Sequence, residues 1–333
     1  MKARGKKWLL IFLFLTISVT LVFAWGQWGH KHISRAAVFA LPENMRDFYY
    51  NHIDFITESS VIPDLRRAVI NDKNESPRHY IDIEDFGSIP LSSFPETTKE
   101  AFEKYDSVFL KKTGYLPWYI QTLTEKLTTA FKKRNKSEIL FISSELSHYI
   151  ADAHQPLHTS SNYDGQLTGQ KGVHALWEST IPQKFGSVYN FKTDTAMYIS
   201  DIFAETWKII EESHSLIKPL LAAEKKVRNS FPSDKMYKKD ASGKTVMFYN
   251  SPVFSDEYAK QFHDAMNGMV EKQLRLSIYE VACFWYTAWV NAGSPKLISL
   301  DDPHLTRQNK RNYKMELKAW ERGEILNLSV DKE

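Results

Sequence analysis

A histidine followed four residues later by a carboxylate occurs twice in this 333-residue chain. In LSHYIADAHQPLH the pair is His148 and Asp152, and in GVHALWE it is His174 and Glu178. On a helix, positions i and i+4 lie on one face, so each pair can reach a single ion. Imidazole nitrogen beside carboxylate oxygen suits zinc, which takes such ligands at roughly 2.0–2.2 Å. One pair alone is common on helix surfaces. Two pairs with His158 between them, just past Pro156, form a more specific pattern. His154 falls two residues after Asp152 and points off that face, so it reads as an outer or surface position and not a ligand.

Upstream, HYIDIED carries His79, Tyr80, Asp82, Glu84 and Asp85, and SSVIPDLRR carries Asp64, Arg66 and Arg67. Taken alone, Asp64 reads as a turn or cap and His79 as a surface histidine beside a proline-bounded loop. The stretch VFAWGQWGHKH adds Trp25, His30 and His32 at the end of an apolar run. That run reads as a secretory signal over residues 1–24. Lys2, Arg4, Lys6 and Lys7 precede it, and Val22 and Ala24 stand at the −3 and −1 positions of a small-residue cleavage site. The expectation is export to the periplasm or beyond the cell, with cleavage after Ala24 leaving Trp25 first. Losing those basic residues turns a net charge of +3 into −1. A near-neutral chain has no global field drawing it to polyanions. The single cysteine, Cys283, cannot form an internal disulfide, so stability must come from the core, and Cys283 reads as part of it.

These residues need helices to position them. Phe102, Tyr105 and Phe109 share a helical face. Met266, Val270, Leu274, Ile278, Val281 and Trp285 do too, which predicts one long helix over about 255–292. Helices are also expected over 143–150 and 196–216. The aromatic run FWYTAW (Phe284 to Trp289) reads as core. A β-hairpin is expected over 236–249, turning at Asp240 to Gly243. Loops are marked by NDKNESP (71–77), GSIP (87–90) and NYDGQLTGQKG (162–172). No repeat or linker is evident. The fold class is therefore all-α: one multi-helix domain over 25–300 with a small hairpin insertion, then a charged, partly helical tail over 301–333.

In order, these motifs resemble the superfamily of zinc-dependent phospholipases C and single-strand nucleases of the S-one/P-one type. The pattern is an N-terminal tryptophan, a histidine, an aspartate, H-[YF]-I-D, H-x-x-x-D-x-x-Q-P-[LM]-H and H-x-x-x-[DE]. It is matched by Trp25, His30, Asp64, His79, His148, Asp152, His158, His174 and Glu178. The resemblance implies three zinc ions. One set would be Asp64, His79, His148 and Asp152; a second His158, His174 and Glu178; a third the Trp25 terminus, His30 and a bridging Asp152. His32 competes with His30. Such a cluster implies phosphodiester hydrolysis, since zinc lowers the pKa of water toward ~7 and steadies charged oxygens. Asp64 is implied to orient the attacking water and Arg67 to stabilise transition-state charge, with Arg66 as competitor.

The resemblance divides on substrate. WGQWGH and HYIDIED match the nuclease branch, in which Tyr80 would stack a base and Asp82 hydrogen-bond it. The short gap from His158 to His174, the final glutamate and the lack of disulfides match the phospholipase branch. The expectation leans to a phospholipase-C-like enzyme acting on phospholipid. A single-strand nuclease or 3'-nucleotidase acting on nucleic acid is the alternative. A non-catalytic, zinc-stabilised binding module is a third reading.

Overall fold

The computed structural model describes residues 25–87, 93–248, 251–326 and 328. The expected signal segment, positions 88–90 of the GSIP loop and Tyr249 lie outside the described residues. The chain is all-α apart from one minimal hairpin. Its first helices are α1 (Gly26–Ala40), α2 (Glu43–Asn51), α3 (Ile53–Ser59) and the short α4 (Ile62–Leu65). Then come α5 (Thr98–Lys104), α6 (Ser107–Thr113), α7 (Leu116–Lys133), α8 (Lys136–Ala153), α9 (Val173–Ala175) and α10 (Ile181–Phe185). The chain continues through α11 (Ile202–Ser215), α12 (Ile217–Ser230), α13 (Asp256–Ala265), α14 (Met269–Asn291) and α15 (Pro303–Glu321). Strands β1 (Met247–Phe248) and β2 (Ser251–Pro252) pair antiparallel.

The centre is a bundle of α1, α7, α8 and α14, with α3 packed on α1 and α8. Apolar residues of α14 fill its middle: Leu274, Ile278, Val281, Phe284 and Trp285 are fully buried. The Trp285 ring stacks on Tyr49 at 4.9 Å, and its indole N–H donates to the Ser143 carbonyl at 3.0 Å. FWYTAW is therefore core, and Cys283 is buried among it. Helix α8 contains the expected 143–150 segment and starts where the Asn135 side chain accepts from Glu138 N–H. That cap satisfies one of the otherwise open amides at a helix start.

Several expectations need correction. The long helix over 255–292 is two. Periodicity runs in phase across the junction, but Asn267 (φ 49°) and Gly268 (φ 79°) are left-handed and end α13 before α14 begins. The helix expected from 196 begins at Ile202, because Asp201 caps it through Ala204 N–H and 196–200 runs without helix. Phe102, Tyr105 and Phe109 do not share one helix. Tyr105 is extended, and Asp106 caps a new helix through Val108 N–H at 2.7 Å. The expected hairpin turn does close, with Asp240 N–H donating to Lys244 O at 2.9 Å. The paired strands lie further on, at Met247↔Pro252, with single bridges Tyr237↔Phe254 and Lys239↔Thr245.

The charged tail is mostly helix α15, and it packs on α2 and α1. Arg35 of α1 is buried and donates to Glu316 of α15 at 2.8 Å, to Asp54 at 2.7 Å and to the Leu326 carbonyl at 3.0 Å. Among the described residues no helix is long and apolar enough to cross a membrane.

Candidate metal centre

The end of α8 places two site residues where their spacing predicts. His148 and Asp152 lie on one face, with His148 Nε2 3.3 Å from Asp152 Oδ2. Helix α1 brings His30 against them. The His30 and His148 rings stack at 3.8 Å, and His30 Nε2 is 3.5 Å from Asp152 Oδ1. Asp64 comes from the short α4, whose start is favoured by Pro63. His79 ends a 3-10 turn over Ser76–Arg78, with Nδ1 facing Asp152 Oδ2 at 2.9 Å and His148 Nε2 at 3.1 Å. Asp64 and His79 are fully buried, so neither is the surface or turn residue that its local sequence suggests.

The segment after His79 is stitched in place by backbone. Ile81 N–H donates to His158 O at 2.8 Å, Asp82 N–H to Thr113 O at 2.7 Å, and Tyr115 N–H to Pro77 O at 2.8 Å. Gly114 permits the approach. It has φ 80°, and a Cβ there would meet the Tyr80 carbonyl oxygen at 2.1 Å. Tyr80 is half-buried, and its hydroxyl donates to Lys112 O at 2.9 Å. Asp82 is half-buried beside Asp85 and Glu84. Burial, then those two like charges, push its carboxyl up to about 7, and burial raises the Tyr80 phenol to about 12.

A second group gathers His158, His174 and Glu178. His158 lies in the 3-10 turn Pro156–Thr159, His174 in α9, and Glu178 in the wide turn Leu176–Thr180. Glu178 Oε2 is 3.0 Å from His174 Nε2 and 3.5 Å from His158 Nε2. It also accepts from Trp25 N–H at 3.3 Å. Trp25 is fully buried, its indole donates to Ala151 O at 2.6 Å, and its left-handed backbone (φ 50°) starts α1.

Asp152 stands between the groups. Its Oδ2 faces His79 and His148, while Oδ1 faces His30 at 3.5 Å and His158 at 3.6 Å. Burial alone would raise its pKa, but His148 and His158 hold it well below the usual carboxylate range. Glu178 is likewise held low, by His174 and His158 against the effect of burial.

Among the described residues three sets could hold an ion: Asp64–His79–His148, His30–His148–Asp152 and His158–His174–Glu178. Within each, the donor atoms lie within 4.8 Å of one another. The fit to a metal can be tested on the polar atoms. Both nitrogens of His30, Asp64 Oδ2, Asp152 Oδ1 and Glu178 Oε1 are buried without a hydrogen bond. Each such atom costs about 1–3 kcal/mol if nothing satisfies it. They belong to residues of these three sets, and buried imidazole and carboxylate atoms lacking hydrogen bonds fit divalent cations. The tautomers fit too. His148, His158 and His174 donate Nδ1–H to the carbonyls of Ser60, His79 and Tyr163 at 2.8, 2.8 and 2.9 Å. That leaves each Nε2 as a lone-pair donor.

The competitors separate. His32 Nδ1 donates to Trp28 O at 2.7 Å, and its ring stacks on Trp28, away from the cluster. His154 is buried rather than at the surface; its carbonyl accepts from Gln273 at 2.7 Å, and burial lowers its imidazole to about 3. Arg67 reaches Asp64 Oδ1 at 2.8 Å. Arg66 turns the other way, to Glu75 at 2.8 Å, Glu145 and Tyr149. The three carbonyls that orient the histidines are absent from the sequence reading, because a backbone acceptor carries no residue-type signal.

Known families now place this arrangement. The family model described as S1/P1 Nuclease matches residues 25–283, which takes in every candidate ligand. The chain belongs to the S1/P1 nuclease family. It is similar to Nuclease S1 of Aspergillus oryzae (strain ATCC 42149 / RIB 40), 22% identical over 203 residues. That alignment covers 56% of this chain and 64% of the relative, so under two thirds of the relative's length is spanned.

Proposed function

We propose that this protein is a zinc-dependent phosphodiesterase acting on single-stranded nucleic acid or 3'-nucleotides. The expectation of a phospholipid substrate gives way to its alternative, because the matching family and the similar curated protein are both nucleases. The observation that carries the reading is Asp152, whose two oxygens face different histidine groups in a cluster of unsatisfied buried donors. Asp64, His79, His148 and Asp152 would hold one zinc, His158, His174 and Glu178 a second, and Trp25, His30 and Asp152 a third. Bound zinc would supply Lewis acidity toward a phosphoryl oxygen and acidify water near neutral pH.

The chain's own groups do the rest. Asp64 is anchored by Arg67 through Oδ1, and Oδ2 has no hydrogen-bond partner among the described residues, so it can orient the attacking water. Arg67 stabilises charge developing on the phosphate. Tyr80 offers a ring for a base to stack on, and Asp82 a carboxyl for its edge. Export belongs to the same reading. Cleavage after Ala24 would turn the Trp25 amide, 3.3 Å from Glu178, into an amine able to bind zinc.

The test uses protein beginning at Trp25 and loaded with zinc. We expect kcat/KM on single-stranded DNA to exceed that on short-chain phosphatidylcholine, and chelator to abolish it. Lipid preference would restore the phospholipase reading, and retained zinc without turnover on either would favour the binding module. Arg67→Ala should lower kcat about 100-fold while zinc content stays constant; unchanged turnover would remove its role.

A further inference from the structure

The surroundings of His79 contain a carboxylate with no part in the ligand set above. Glu75 lies one helical turn before His79, and its side chain is fully buried. A buried carboxylate is costly unless several partners hold it. Glu75 has four. Its Oε2 accepts from Arg66 Nε at 2.8 Å and from Arg78 Nη1 at 2.9 Å. Its Oε1 accepts from the Tyr149 hydroxyl and lies 3.3 Å from His79 Nε2. That last pair stands at ion-pair distance without hydrogen-bond alignment.

The partners are themselves fixed. Arg66 is bound to Glu145 and to the Tyr149 oxygen, and Arg78 packs over the Tyr119 ring at 4.8 Å. Tyr149 sits on α8, next to the ligand His148. The network thus joins the helix that carries His148 and Asp152 to the turn that carries His79.

His79 also differs from three of the other candidate ligands. His148, His158 and His174 each give Nδ1–H to a backbone carbonyl and present Nε2. His79 is reversed: Nδ1 faces Asp64, Asp152 and His148, and Nε2 faces outward. Among the described residues no carbonyl bonds its Nε2; the group facing that nitrogen is the Glu75 carboxylate. A carboxylate behind a ligating imidazole holds the proton on the far nitrogen and makes the near one a stronger donor.

We infer that Glu75, clamped by Arg66, Arg78 and Tyr149, is a positioning residue that fixes His79 with Nδ1 toward the metal. The inference rests on the zinc reading above. Its signature is metal affinity confined to one ion, since only His79 touches Glu75 among the candidate ligands.

The test compares zinc binding by wild type, Glu75→Gln and Glu75→Asp, using a chromophoric competitor, with the melting temperature of each chelated protein as a second readout. Gln removes the charge. Asp keeps the charge for the two arginines but withdraws it from His79 by one methylene, which guards against a Gln variant that fails to fold. We expect both variants to bind one zinc about 10–100-fold more weakly and the other zinc ions as wild type does. The cobalt-substituted spectrum should change at that site alone. Wild-type affinity for every ion in a folded variant, or equal weakening of all ions in step with a lower melting temperature, would overturn the role. If wild type takes up no zinc, the metal reading itself fails and takes this inference with it.

Discussion

The two sides of Asp152 are built differently. On one side, Asp64, His79 and His148 are fully buried, and His148 rides on an eighteen-residue helix in the central bundle. On the other side, His158, His174 and Glu178 come from short turns, and the His174 side chain is 20% exposed. Its carbonyl partner, Tyr163, belongs to the loop over 162–172, where Gly165, Gly169 and Gly172 take positive φ. That loop is held by hydrogen bonds of its own and to its neighbours. Asp164 accepts from the backbone of Gly172 and His174, and Gln170 donates to Glu224 at 2.6 Å. One half of the centre thus rests on a long bundle helix, while the other includes a partly exposed histidine oriented by a loop, and such a region opens at lower free energy.

The strongest way to break this contrast is to remove the residue both halves share. Asp152→Ala should lower kcat by about 1000-fold or more and reduce zinc content by more than one ion. Loss of a single ion, measured by elemental analysis, would mean that Asp152 serves only one side. A sharper test is the order of release. Under a rising chelator concentration, the ion of His158, His174 and Glu178 should leave first, and His174→Ala should lose that ion alone while the bundle-side ions stay. Release of all ions in one step would erase the distinction.

The smallest effect lies at the edge of the bundle-side group. The Asp82 carboxyl sits at about 7 against an ordinary 3.8, through burial and then the charges of Asp85 and Glu84. Between those values the folded state holds a proton that the unfolded chain has released. Stability should therefore fall as pH rises from about 4 to about 7, and level off above. Asp82→Asn should flatten that slope in urea titrations; an unchanged slope would assign it to other groups.

The same contrast explains what could be read from sequence. His148–Asp152 and His174–Glu178 were legible because helical spacing states which side chains share a face. The all-α class followed from the same periodicity. The breaks were not legible where apolar phase continued through them: Met266 and Val270 stay in register across a junction set by two left-handed residues. The start of α11 was missed because an Asp201 cap outweighs the apolar run before it. Glu75 was passed over although it stands four residues before His79. Its charge looks like that of any solvated NDKNESP loop, and only the folded chain sets it among two arginines and a tyrosine.

The contact of α1 with α14 has a consequence for the order of synthesis. Helix α1 carries His30, yet its main partner, α14, is made long after it. Arg35 on the same helix waits for Glu316, later still. Contacts so distant along the chain form late and slowly, because the intervening segment must close first. The packing of α1, which carries His30, therefore waits for chain well beyond the last candidate ligand, Glu178. During synthesis the early histidines stand apart from their partners, and a cation present then meets an unassembled chain.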